Sequence, residues 1–101
     1  MSERVHISKQ SEDNPIDSTG VVFETSVEIA RLVSLNIVGS ESASYELDVS
    51  PDKETWFESE ASYEGDDVRD TFELTDRYVR VRVSTAASAG STADITVQGV
   101  R

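Results

Sequence analysis

The stretch Arg77-Tyr78-Val79-Arg80-Val81-Arg82-Val83 constrains the fold of this chain more than any other. Val79, Val81 and Val83 recur at every second position, which puts their β-branched side chains on one face of an extended strand. Tyr78, Arg80 and Arg82 fall on the opposite face. A strand of this kind is covered by a core on one side and meets solvent or a partner on the other.

The remaining apolar residues repeat the pattern in short segments. Val21 and Phe23, with Val27 and Ile29, follow Gly20; Val33, Leu35 and Ile37 alternate with Ser34 and Asn36. A helix through residues 26–35 competes there, and the β-branched density favours strand. Tyr45, Leu47 and Val49 alternate inward before Ser50-Pro51-Asp52-Lys53-Glu54, a turn by its chemistry. Residues 55–63 return as a hairpin, Gly65-Asp66-Asp67 reads as a loop, and Phe72 and Leu74 are in phase after it. Ile95 and Val97 mark the last strand. About eight short strands separated by turn signals predict an all-β fold, an antiparallel β-sandwich or jelly roll. Residues 1–19 read as an N-terminal arm, in which Val5 and Ile7 form a short strand, and residues 20–101 as the β-sandwich domain.

Charge and composition narrow the function classes. The 101 residues suffice for one modest core. With no cysteine, disulfides and thiolate metal sites are excluded. No apolar run approaches the roughly 20 residues of a membrane span, and residues 1–14 are too polar for a signal peptide, so a soluble chain without membrane contact is expected. A net charge of −11 argues against nucleic acid as a partner. Only Lys9 and Lys53 are lysines. An acidic, lysine-poor surface fits a protein from a high-salt cytoplasm, and it also fits an ordinary acidic domain.

No residue pattern points to catalysis, so a non-enzymatic protein without cofactor is expected. His6, the lone histidine, lies in the polar arm with no nucleophile motif beside it. Asp66, Asp67 and Asp70 are weak calcium candidates, since no spacing among them matches a defined calcium loop. Trp56, with Tyr63 or Tyr78, is a possible glycan platform; its competing reading is a residue at the rim of the core. Arg80 and Arg82 either pair with cross-strand carboxylates such as Glu73 or meet the carboxylates of a partner. Val5 and Ile7 are the other candidate partner-binding residues, adding a strand edge or filling a shallow groove.

Two stretches carry a resemblance. Tyr45-Glu46-Leu47-Asp48-Val49-Ser50-Pro51-Asp52 leading to Thr55-Trp56 is similar to a hairpin of discoidin-type jelly rolls, and Arg77-Tyr78-Val79-Arg80-Val81 is similar to their late strand. Lys53 stands where that turn usually has glycine, and the ligand-binding loops of that family have no counterpart here. With the acidic composition and the small-residue loop before the final strand, residues 45–100 resemble accessory structural proteins of tailed viruses of halophilic archaea. That resemblance implies a virion structural protein, foremost a capsid decoration or cement protein and next a tail or head–tail component. Its partners would be capsid or tail proteins, with the chain present in many copies or as a homo-oligomer. A carbohydrate-binding or adhesion module is the alternative.

Overall fold

The computed structural model describes residues 6–27, 32–73 and 76–100. They form six strands, each antiparallel to its neighbours: β1 (His6–Pro15), β2 (Gly20–Ser26), β3 (Leu32–Ser50), β4 (Phe57–Glu73), β5 (Tyr78–Thr85) and β6 (Thr92–Val100). The fold is all-β and antiparallel, as the alternation predicts. The expectation of about eight short strands is corrected to six, because two pairs of expected strands are continuous.

The Gly39-Ser40-Glu41-Ser42 segment, which has the composition of a turn, is a bulge inside β3 in which these four residues stand opposite Asp66 alone. Gly65-Asp66-Asp67, read as a loop, lies within β4 at the same place. Turn-like composition is present because the ribbon bends there, yet both strands keep the same partner on either side. A straight strand of 19 residues would span about 60 Å, and the longest dimension of the molecule is 48 Å. Gly39 permits the close approach at the bend: a Cβ there would lie 3.0 Å from the Asp66 carbonyl oxygen.

The bend lets one ribbon serve two layers. Along one edge of β3, residues 32–39 pair with β6 and residues 44–50 pair with β5, while β4 follows the other edge. β1 adds to β6 and β2 adds to β5. The layers β1-β6-β3-β4 and β2-β5-β3-β4 thus share the bent ribbon, and β1 touches β2 so that the sheet nearly closes on itself.

The core lies between the layers. Val33, Leu35 and Ile37 come from the first half of β3, and Tyr45, Leu47 and Val49 from the second. Val79, Val81 and Val83 of β5 are no more than 1% exposed, as their spacing predicts. Ile95 and Val97 complete the floor. Val21 departs from its expected inward position: a register shift between Val21 and Phe23 turns it out to 50% exposure, while Val22 and Phe23 pack against the core. The competing helix over residues 26–35 gives way to strand from Leu32 onward.

Within the stretch read as an arm, β1 pairs with β6 from His6↔Val100 to Pro15↔Thr92. Ile16 just beyond it is fully buried, its N–H donating to the Ser91 carbonyl at 3.1 Å and its carbonyl accepting from Ala87 N–H at 2.9 Å. Val5, Ile29 and Leu74 lie outside the described residues.

Candidate functional site

The alternation of β3 should turn Asp48 outward, away from Leu47 and Val49, and yet Asp48 is fully buried. Two features cover it. On one side β4 bulges, so that Glu58, Ser59 and Glu60 stand opposite Asp48 alone, with Ser59 held at φ +58°. On the other side, β5 places Arg80 directly opposite Asp48 and Arg82 two residues further on the same face. The period-two spacing that buries the valines is what brings both arginines onto one carboxylate.

The hydrogen bonds saturate that carboxylate. Arg80 Nε donates to Asp48 Oδ2 at 2.7 Å, and Arg82 Nε donates to the same oxygen at 3.1 Å. Arg82 Nη2 donates to Oδ1 at 3.2 Å and the Ser59 backbone N–H donates to Oδ1 at 2.9 Å. A carboxylate has about four lone-pair sites, so no acceptor position is left for a ligand. Glu58 adds a second, exposed layer, with its Oε2 3.5 Å from Arg80 Nη2 and 3.6 Å from Arg82 Nε. Burial alone would raise the Asp48 pKa, but the hydrogen bonds from Arg82, Arg80 and Ser59 outweigh it and hold the group below the ordinary carboxylate value. Asp48 therefore stays ionised at neutral pH and cannot serve as a proton donor there.

Trp56 closes the cluster from above. The Ser50–Thr55 turn fixes it: Ser50 Oγ accepts from Lys53 N–H at 2.8 Å, and Asp52 Oδ1 accepts from Glu54 N–H at 2.9 Å and Thr55 N–H at 2.8 Å. Lys53 sits at φ +68°, the left-handed conformation that favours glycine, which accounts for the glycine usual in turns of this pattern. The Trp56 indole donates to the Lys53 carbonyl at 3.1 Å, and the Arg80 guanidinium lies 4.3 Å from the centre of its ring. Half-buried Trp56 thus packs on Arg80 at the outer surface of the second layer, with one ring face occupied by the cation.

The other sequence candidates are dispersed. Arg80 and Arg82 pair with Asp48 and Glu58; Glu73 stands opposite Leu32 in the other half of the ribbon. Asp67 lies opposite outward-facing Val38, whereas Asp70 lies opposite buried Leu35, so their side chains take opposite faces of β4. Asp70 accepts from the Tyr63 hydroxyl at 2.7 Å and from Thr71 N–H at 2.9 Å, and Asp66 accepts from Asp67 N–H at 3.0 Å. Among the described residues no group of three or more metal-ligating side chains converges. Tyr63 belongs to the core side, opposite Tyr45, and its hydroxyl pKa is pushed up by burial and by Asp70. Tyr78 faces outward beneath Lys53, with the ammonium 5.7 Å from its ring centre. Ile7 is paired with Gly99 through its backbone in β1.

The sequence reading missed Asp48. Its signal is a charged residue in the middle of a strongly alternating strand, in register with an Arg-x-Arg strand.

No family model matches the chain, and no curated protein matches it. Among solved structures, the crystal structure of the SPBc2 prophage-derived protein YomS, from a phage that infects Bacillus subtilis, shares the fold. The TM-score is 0.72 at 12% identity, over 100% of this chain and 97% of that one. This corrects the sequence-based resemblance: the structural similarity is to a bacteriophage-derived protein and not to a protein of a virus of halophilic archaea.

Proposed function

We propose that the chain is a non-enzymatic structural component of a phage particle, and that within this class it decorates and cements the capsid. The observation that carries this reading is the match in fold to a prophage-derived protein over the whole of this chain and nearly the whole of the other. The candidate site supports it from a second direction. Its charged groups are consumed by one another, its carboxylate is saturated, and its tryptophan is stacked on an arginine of its own chain. A lock of this kind shapes a surface and stiffens a strand pair; it offers no reacting group. The capsid or tail proteins of the same particle are the partners in this reading, and the virion is where the chain resides.

The test is to delete the coding sequence from the genome that carries it and to measure the temperature at which particles release DNA. Decorated particles should hold their DNA to a higher temperature than particles lacking the chain, and adding back the purified chain should restore the difference. Equal release temperatures for the two particles would remove the cement role.

A further inference from the structure

Strand β4 is an edge of both layers. Among the described residues it pairs with β3 alone, whereas the other two edge strands, β1 and β2, lie against each other. Its second half is the regular part: residues 67–73 pair with β3 without a register shift and run about 23 Å. Two hydrogen bonds show which main-chain groups point away from β3. The Asp67 N–H donates to Asp66 Oδ1 at 3.0 Å and the Thr71 N–H donates to Asp70 Oδ1 at 2.9 Å, so neither serves the ladder with β3. In an antiparallel pair, residues whose N–H points away from the partner strand also point their carbonyl away, and they recur at every second position. The carbonyls of Asp67, Arg69 and Thr71 therefore line the open edge, and two of the three N–H groups beside them are already taken by carboxylates of the chain itself. The edge is rich in acceptors and poor in donors. β4 as a whole adds seven carboxylates against the single guanidinium of Arg69.

We infer that this edge takes up an extended, lysine- or arginine-rich segment of a partner protein as a further strand. Extended segments bind an open sheet edge through main-chain hydrogen bonds, and their alternate side chains set the choice of partner. Lysine and arginine side chains donate and never accept, so they suit an edge of carbonyls and carboxylates. The added strand donates its N–H groups to the outward carbonyls and accepts from the Arg69 N–H. At Asp67 and Thr71 its carbonyls replace the Asp66 and Asp70 side chains, which are freed to pair with its cations. On the outward face, exposed Asp67 and Glu73 lie to either side of Arg69 and Thr71, so cations are favoured at the two ends of the added strand and disfavoured opposite Arg69. On the inward face, Val68 belongs to the core and Phe72 packs against it, so apolar residues opposite these two extend the core. A second copy of the chain does not fit, because its own β4 brings the same row of acceptors and the same carboxylates.

The inference is independent of the virion reading, because it is read on the purified chain. The probe is the capped peptide Lys-Val-Thr-Lys-Ser-Val-Lys. Laid antiparallel to residues 67–73, it sets lysines against Glu73, Asp70 and Asp67, valines against Phe72 and Val68, and serine against Arg69. Titrated to millimolar concentration at low salt, it should shift the amide resonances of residues 67–73 and slow hydrogen exchange at the Arg69 amide. Replacing its lysines with glutamate should weaken binding about tenfold or more, and so should methylating the backbone nitrogens that face β4. The Asp67→Asn/Glu73→Gln variant of the chain should bind the peptide about threefold more weakly or worse, and Glu12→Gln/Glu54→Gln should bind it unchanged. No response at this edge up to millimolar peptide overturns the inference. So does equal binding of the methylated peptide, which would mean charge attraction without strand pairing.

Discussion

Arg80 Nε lies 2.7 Å from Asp48 Oδ2, a carboxylate oxygen of a side chain that has no exposure to solvent. This pair fixes the pairing of β3 with β5 in the second layer, since a slip of β5 by one residue would turn Arg80 and Arg82 into the core and Val79, Val81 and Val83 out of it. A buried ion pair contributes little against an apolar alternative, but removing one partner leaves an uncompensated charge. The arginines should therefore behave as structural residues. Replacing both Arg80 and Arg82 with Ser is expected to destabilise the domain by about 3–5 kcal/mol in urea denaturation. If the double variant unfolds at the parent's urea midpoint, the lock contributes nothing to stability.

The same carboxylate sets a dependence on acid. The folded-state pKa of Asp48 lies below its ordinary value of 3.8, so its contribution is complete above that value and is lost as pH falls through the lower folded value. Urea midpoints measured from neutral pH downward should stay level in this respect to about pH 4 and then fall. Asp48→Asn should show a lower midpoint at neutral pH and a shallower fall in acid. Parallel pH profiles for the two proteins would mean that Asp48 is not held ionised by its neighbours.

Removing residues 2–19 deletes β1 together with Ile16 and leaves the edge of β6 unpaired. Loss of a fully buried isoleucine alone costs about 2–5 kcal/mol. The truncated chain is therefore expected to melt well below the parent, or to lose its β-sheet circular dichroism. A truncated chain with the parent's melting temperature would return these residues to the status of a detachable arm.

The period-two signal made the inward faces of β3, β5 and β6 legible, because each residue's side is decided by parity alone. Strand continuity was not legible. Gly39 and Gly65 carry turn chemistry, and only the pairing partner shows that the chain bends and continues at both places. The N-terminal strand was legible only at its start: Val5 and Ile7 signal a short strand, whereas Ser8, Lys9, Gln10 and Ser11 lack an apolar alternation, and β1 continues to Pro15 by pairing with β6. The site was half legible. Arg80 and Arg82 stood out, but their partner Asp48 is near them only through strand pairing and is covered only through a bulge at residues 58–60.

The most direct measurement of the central claim is quantitative peptide mass spectrometry of density-gradient-purified particles from the strain that encodes the chain. A structural component should band with the particles at a fixed ratio to the major capsid protein, and should stay with them through high-salt washing. Recovery of the chain only in the soluble fraction of the lysate, with none in the particle band, would contradict the assignment.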